Sequence, residues 1–173
     1  MTQEPESPAS VLSIRPLTGA DAHALRTLRL EALRAHPTAF SASVDAGERL
    51  TTDDFARRMV PPDAIFGAFA AGGPVGMTGF AVEKAAKRSH RGFIWGVYLR
   101  ATWRGQGIAE RLLHAAIDHA RGHVEILTIA VGIHNEPARR LYRRLGFEPW
   151  GIERRALRVD GVDYDEEHSV IVF

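Results

Sequence analysis

A short polar stretch, Arg104-Gly-Gln-Gly-Ile-Ala109, contains two glycines and has the residue types that bind an anion. An apolar run, residues 93–99, leads into it, and an amphipathic run, residues 110–121, leads out of it. This order predicts a strand, a short loop and a helix. Free backbone N–H groups and the positive end of the helix dipole meet at such a junction. The sequence therefore predicts a pyrophosphate-binding loop.

Two common phosphate-binding motifs do not fit this loop. The chain has no Gly-x-x-x-x-Gly-Lys-Ser/Thr pattern, which argues against a P-loop for nucleoside triphosphates. The dinucleotide fingerprint would match only Gly105 and Gly107, and Glu110 stands where close helix–strand packing needs glycine or alanine. A frame that begins one residue earlier fits better and reads Arg104-x-x-Gly-x-Ala109.

A second motif follows the next predicted strand and reads Asn135-x-x-Ala138-x-x-Leu141-Tyr142-x-x-x-Gly146-Phe147. Asn135 can cap a helix whose first turn contains Pro137, and Gly146 suits its end. The phenol of Tyr142 is protonated at neutral pH and can donate a proton. The motif thus predicts a helix that carries a proton donor.

Hydrophobic periodicity predicts the elements that position these motifs. Asp160-Gly161 is a hairpin turn signal. Residues 38–47 indicate a loop, whereas residues 162–168 could be strand, bulge or loop. Together they predict a mixed α/β fold (α+β) in one domain, residues 11–173, after a frayed leader, residues 1–10. The predicted strands are 11–16, 65–71, 75–82, 93–99, 125–131, 147–159 and 169–173, and the predicted helices are 21–35, 51–59, 109–121 and 137–145.

The two motifs, in this order, resemble those of the GNAT family of N-acetyltransferases. The resemblance implies a central twisted mixed sheet of about six to seven strands, flanked by about four helices. It also implies that two central parallel strands splay apart and bind acetyl-coenzyme A between them. The implied reaction transfers the acetyl group from this cosubstrate to a primary amine, by direct attack on the thioester and without a metal.

The resemblance places the coenzyme-binding residues at the strand before the loop, in the loop and on the second motif. Arg104 either pairs with a phosphate or braces the turn, and Gly96 either starts the splay through a bulge or permits close packing. The implied residues are Val97, Tyr98, Leu99, Arg104, Gly105, Gln106, Gly107, Ile108, Ala109, Asn135, Ala138 and Tyr142.

The reaction needs a general acid for the leaving thiolate and a route for the proton of the amine. The resemblance gives Tyr142 the role of the acid. Many relatives use a glutamate on the strand that here spans residues 93–99, but this strand has no carboxylate. His134 and Glu31 are therefore candidates for the base or for amine binding, and proton loss through ordered water is the alternative. Glu83, Glu153 and Tyr98 are further candidates for the base.

Composition limits the partners. The chain has 173 residues, a net charge of +1 and no cysteine, which argues against disulfides and thiolate metal sites. Neither a signal peptide nor a run of about 18 apolar residues is present. We expect a cytoplasmic enzyme with a small-molecule or peptide amine as acceptor, and neither a nucleic-acid nor a membrane partner. An edge strand near the C-terminus could pair two copies in a homodimer.

Three alternatives stay open at this point. The missing strand carboxylate would also fit a non-catalytic acyl-coenzyme A sensor. Arg139, Arg140, Arg143 and Arg144 could bind nucleic acid, although their helical spacing favours a solvated face. The acidic run, residues 163–167, could attract a cationic amine, although a solvated turn is favoured.

Overall fold

The computed structural model describes residues 12–173. The predicted leader, residues 1–10, lies outside the described residues. The described strands are β1 (Ser13–Pro16), β2 (Ala64–Ala70), β3 (Gly73–Val82), β4 (Arg91–Leu99), β5 (Ile126–Gly132), β6 (Glu148–Val159) and β7 (Val162–Val172). The α-helices of this part are α1 (Ala22–Ala35), α2 (Val44–Arg49), α3 (Thr52–Arg57), α4 (Ile108–Arg121) and α5 (Glu136–Arg144).

The strands form one sheet in the order β1-β2-β3-β4-β5-β7-β6. Neighbouring strands are antiparallel except for β4 and β5, which are parallel. Residues of α1 and α3 form a core on one face, and residues of α4 and α5 belong to the core on the other face. The predicted mixed α/β architecture is confirmed.

Helix α4 shows how the sequence pattern produces the packing. Leu112, Leu113 and Ala116 recur at helical spacing and have no exposed surface, since they pack in the core with β2, β3 and β4. Full burial of a leucine side chain contributes roughly 1.5–3 kcal/mol. This packing fixes the start of α4, and hence the glycine loop, against the end of β4.

The strands β4 and β5 separate after a short pairing. Residues 91–93 of β4 pair with residues 126–128 of β5, and in the described chain the ladder goes no further. Beyond this point β4 stays with β3, and β5 stays with β7. A bulge in β4 places Gly96 and Val97 opposite the single residue Thr78, and Gly96 adopts a φ of +65°. The predicted splay of the two central parallel strands is confirmed.

Residues 38–47 were expected to form a loop, and this expectation is wrong in part. A 3-10 turn spans Pro37–Ala39, and α2 begins at Val44. The Ser43 side chain accepts a hydrogen bond from the Ala46 N–H, and Asp45 lies in the first turn of the helix. Capping therefore stabilises a short helix that has little apolar periodicity.

The acidic run, residues 163–167, lies within β7 instead of in a solvated turn. Asp163 and Asp165 pair with arginines of β6, and Glu167 is buried. Cross-strand arginines neutralise the run, which allows a charged segment to join a sheet. No helix of residues 12–173 is both long and apolar enough to cross a bilayer.

Candidate active site

A cleft of about 830 Å³ opens where β4 and β5 diverge. Its walls come from the end of β4, the glycine loop, the start of α4, helix α5 and the 3-10 turn after α1. All of the predicted coenzyme-binding residues line it except Gln106, whose amide nitrogen donates to the Thr102 carbonyl. The structure thus brings together residues from two motifs that are separated in sequence.

The start of α4 presents unpaired backbone donors at this cleft. Gly107 is the N-cap residue with a φ of +72°, a conformation that side chains other than glycine rarely adopt. Within residues 12–173, the N–H groups of Gly107, Ile108, Ala109 and Glu110 have no protein acceptor. These donors and the helix dipole would favour an anion at the loop.

Arg104 braces the turn. Its Nε donates to the Leu99 carbonyl at 3.0 Å, and its Nη2 lies 2.9 Å from Nε2 of His36. The pKa of His36 is lowered by burial and by the charge of Arg104. His36 is therefore more readily neutral and able to accept this hydrogen bond.

The four arginines of α5 do not form one solvated face. Arg140 and Arg144 line the cleft. Arg139 and Arg143 turn to β7, where their Nη2 atoms lie 2.7 and 3.0 Å from Glu167, whose exposed fraction is 5%. Hydrogen bonding from Arg139 holds the pKa of Glu167 below its usual range.

Tyr142 projects from α5 into the divergence and lines the cleft. The residue is buried, and burial raises its pKa above the ordinary value for a phenol. In the described chain its hydroxyl makes no hydrogen bond to protein. A protonated donor without a protein partner is thus available to a group in the cleft.

Asn135 and Ala138 connect the cap of α5 to the cleft. The Asn135 side chain accepts from the Ala138 N–H at 3.3 Å, which satisfies one of the free donors of the helix. Both residues line the cleft. The cap fixes the angle at which α5 leaves β5, and hence the position of Tyr142.

A second, smaller cavity of about 70 Å³ lies at the divergence itself. Phe40, Trp95, Gly96 and Ala130 are among its lining residues, and Tyr142 lines both cavities. The exposed His134 lines both cavities too, with its Nε2 3.5 Å from the Thr38 hydroxyl. His134 therefore lies at the same two cavities as Tyr142.

Glu31 lies outside the lining of both cavities. Its carboxylate accepts a bifurcated hydrogen bond from Arg100 Nε, a second hydrogen bond from Arg100 Nη2, and a third from the Tyr98 hydroxyl at 2.8 Å. The Arg100 guanidinium lowers the pKa of Glu31. A carboxylate held in this way is a poor base, which argues against the expectation for Glu31.

One group in the described chain has a composition that could hold a metal ion. The ligand atoms of Glu153, Glu166 and His168 lie within 4.8 Å of one another. His168 Nε2 is 2.9 Å from the Glu153 carboxylate, and burial raises the pKa of Glu166. The group lies outside both cavity linings, and the expectation that no metal takes part stays a prediction.

The segment around residues 31–54 was expected to shape the acceptor site, but none of its residues that line the cleft was singled out. His36, Thr38, Ala39 and Phe40 line the large cleft. They carry no motif, and only the fold brings them to strands that are distant in sequence. The one available signal was Phe40, a lone aromatic in a small polar stretch.

The chain has a sequence relative with a named activity. Over 61 residues it is 43% identical to the N-alpha-acetyltransferase RimI of Mycobacterium tuberculosis. The alignment covers 35% of this chain and spans 37% of that relative's length.

Solved structures share the fold over nearly the whole chain. An acetyltransferase of the GNAT family from Streptococcus pneumoniae has a TM-score of 0.83 at 22% identity, covering 94% of this chain and 99% of that one. The structure of yncA from Salmonella typhimurium, with its cofactor acetyl-CoA, has a TM-score of 0.81 at 20% identity, covering 94% of both chains. The ribosomal-protein-alanine N-acetyltransferase from Brucella melitensis scores 0.80 at 22% identity, covering 94% of this chain and 100% of that one.

A sequence model supplies the family. The model described as Acetyltransferase (GNAT) family matches residues 25–147. The match begins in α1, ends just after α5 and includes the glycine loop, Asn135 and Tyr142. It therefore covers most of the described chain, and the chain belongs to the GNAT acetyltransferase family.

Proposed function

We propose that this protein transfers an acetyl group from acetyl-coenzyme A to a primary amine of an acceptor, by direct attack of the amine on the thioester. The observation that supports this most is the convergence of three features on one cleft. These are the unpaired edge of β4, the free N–H groups at the start of α4, and the hydroxyl of Tyr142. The three match the needs of a linear, phosphate-bearing thioester.

The residues present fit the coenzyme. The N–H groups of residues 107–110 would hold the pyrophosphate, since they are donors without a protein acceptor. Arg140 and Arg144 line the same cleft and lie 3.6 and 3.4 Å from Glu136 and Glu110, respectively. The diverging edge of β4, at Val97, Tyr98 and Leu99, would pair with the pantetheine amides as a strand does. When bound, the coenzyme supplies an activated acetyl group.

Tyr142 would supply the proton that the departing thiolate needs. The carbon–nitrogen bond forms as the carbon–sulfur bond breaks, the phenol proton goes to sulfur, and the amine proton goes to a base or to water. Burial keeps the phenol protonated, which suits an acid. A backbone N–H on β4 would polarise the carbonyl oxygen.

The amine proton has two routes. His134 lines both cavities and is exposed, so it can pass a proton to bulk water. Ordered water between His134 and the amine could carry the proton equally well. Glu31 is a poorer candidate, because it forms an ion pair with Arg100.

Two relatives point to one acceptor to be tested. RimI is named an N-alpha-acetyltransferase, and the protein from Brucella is named for an alanine of a ribosomal protein. A peptide with a free N-terminus therefore belongs in the acceptor panel, next to amino acids, polyamines and aminoglycosides.

Thiol release from acetyl-coenzyme A, measured with this panel, tests the proposal. We expect at least one amine to raise the rate well above the buffer rate, with a stoichiometric N-acetyl product by mass spectrometry. Tight coenzyme binding without release for any amine would instead support an acyl-coenzyme A sensor, which the lack of a carboxylate on β4 would also fit.

A further inference from the structure

Arg29, on α1, is a buried cation without a partner in the described chain. Its exposed fraction is 8%, and no carboxylate of residues 12–173 lies within 4.0 Å of it. Its Nη1 atom has no accessible surface and no hydrogen-bond acceptor. Buried charges in folded proteins are normally paired, because loss of hydration is expensive. A bound anion would therefore stabilise the buried guanidinium of Arg29.

The neighbours of Arg29 are aromatic rings and a second arginine, and they do not neutralise its charge. Its guanidinium lies over the Phe40 ring, 4.5 Å from Cζ to the centroid, and 5.9 Å from the Trp95 ring. A second arginine without an ion pair in residues 12–173, Arg58, lies 5.5 Å from the same Trp95 ring. Burial and the charge of Arg58 lower the pKa of Arg29 to about 10, so the guanidinium stays protonated at neutral pH. The aromatic faces offset part of the cost, but they do not supply a hydrogen-bond acceptor.

The unpaired guanidinium lies beside the site of the proposed reaction. A Cβ atom built on Gly96 would be 3.5 Å from Arg29 Nη1. Gly96, Phe40 and Trp95 all line the cavity of about 70 Å³ at the strand divergence. Tyr142 lines the same cavity. Arg29 itself lines neither cavity, so an anion would reach its guanidinium past the wall that Gly96, Phe40 and Trp95 form.

We propose that Arg29, assisted by Arg58, binds a carboxylate of the acceptor, and that the acceptor is a small amine that carries its own carboxylate, as an amino acid does. This inference rests on the proposed acetyl transfer and narrows its acceptor. Arg29 is a specificity-determining residue in this scheme, since it contacts the substrate away from the reacting atoms. A guanidinium suits this purpose, because its planar donors match a carboxylate.

Matched acceptors test the proposal. Each of several L-amino acids is compared with its own amide and with a dipeptide amide that begins with the same residue. Thiol release from acetyl-coenzyme A gives kcat and KM for each acceptor. We expect the free acid to exceed its amide in kcat/KM by about 10- to 100-fold, mostly through KM, since one charge-assisted contact is at stake.

Arg29→Met keeps an unbranched apolar side chain and removes the charge. We expect the ratio of acid to amide to fall to about one. Arg34→Met is the matched control on the same helix, because Arg34 is exposed and pairs with Glu48 away from the cleft. The control should keep the wild-type ratio.

Two further measurements separate the outcomes. Isothermal titration of an N-acetyl amino acid should show binding to the wild type and loss of binding in Arg29→Met, without any need for turnover. The unfolding midpoint of Arg29→Met should equal or exceed that of the wild type, because an unpaired buried charge has been removed.

The inference is overturned if amides or peptides are acetylated as well as free acids, or if Arg29→Met lowers the unfolding midpoint and leaves the ratio unchanged. If no amine at all releases thiol, the proposed function fails. Titration with the N-acetyl amino acid then still decides whether Arg29 binds a carboxylate.

Discussion

Many charged groups of this protein are paired, and two of the donors that lack a protein partner lie near the cleft. Asp21 with Arg15 and Asp163 with Arg158 are typical of the ion pairs at the surface. The hydroxyl of Tyr142 and the guanidinium of Arg29 lack such partners in residues 12–173. Because burial makes an unused donor costly, these two residues are the best markers of what the protein binds.

The role of Tyr142 can be tested by Tyr142→Phe, which removes the hydroxyl and keeps the ring. We expect kcat to fall by about 100-fold, within the range for general acids. The affinity for acetyl-coenzyme A should change by less than about threefold. Steady-state kinetics and calorimetry measure the two quantities.

The pH profile provides the control for this variant. Burial raises the pKa of Tyr142, so the acid stays protonated at neutral pH and beyond its ordinary titration range. Ionisation of this phenol should therefore not lower the kcat of the wild type near pH 10. Equal kcat in both proteins would exclude the acid role.

At the scale of elements, α5 links the cleft to β7. Its cleft side carries Tyr142, Arg140 and Arg144, and its other side places Arg139 and Arg143 on the buried Glu167. The position of the proposed acid thus depends on an ion-pair network outside the cleft. Disturbing this network should lower the stability of the protein more than it lowers the catalytic rate.

Glu167→Gln tests the anchoring of α5. Loss of the charge leaves Arg143 without a carboxylate and Arg139 with only Glu136, and we expect unfolding to become easier by about 1–3 kcal/mol at pH 7. The folded-state pKa of Glu167 is lowered, so its contribution is present above the unfolded value near 4.3 and is lost as pH falls through the folded value. Urea unfolding at several pH values measures this.

The difference between Glu167→Gln and the wild type should therefore narrow as the pH drops below about 4. A difference that stays constant from pH 7 to pH 3 would show that the lost packing, and not the charge, destabilises the variant.

Gly107→Glu tests the loop at the start of α4. The new side chain requires an uncommon backbone conformation at a φ of +72°, and its carboxylate would repel a pyrophosphate. We expect the loss of measurable acetyl-coenzyme A binding in calorimetry. Gly122→Glu adds the same charge at the far end of α4, where φ is −82°, and should bind as the wild type does. Equal binding by both variants would place the pyrophosphate elsewhere.

Particular residues show why some elements could be predicted and others could not. The apolar stripe of α4 and the Asn135 cap of α5 are local signals, and the structure confirms both helices. Helix α2 was missed because its stability comes from the Ser43 cap and not from periodicity. Glu167 was assigned to a solvated turn because its partner arginines are distant in sequence. Arg29 was not singled out from the sequence, and its neighbour Trp95 is distant in the chain.

At the scale of the whole molecule, the sheet consists of two parts joined by a short ladder. One part is β1-β2-β3-β4, the other is β5-β7-β6, and only three residue pairs connect them within the described chain. A ligand that lies between β4 and β5 would contact both parts.

A cytoplasmic location and a homodimer remain predictions.

Acetyl-coenzyme A should therefore stabilise the whole protein. At about 100 times its dissociation constant, we expect about 2.7 kcal/mol of stabilisation. For a chain of this length, that corresponds to a rise in the unfolding midpoint of about 5–10 °C. Differential scanning calorimetry measures the shift. Pantetheine, which lacks the pyrophosphate, should give a much smaller shift at the same concentration, and equal shifts would count against the α4 site.

The divergence of β4 and β5 also has a consequence for the handling of the protein. Most sheets keep their open edges at the periphery, but this one has two more in its interior, facing each other. Open edges recruit further strands, including those of other copies. The coenzyme would occupy this slot much as an added strand would. Light scattering on heating should therefore begin earlier in coenzyme-free preparations, in which the molecule offers a template for its own aggregation.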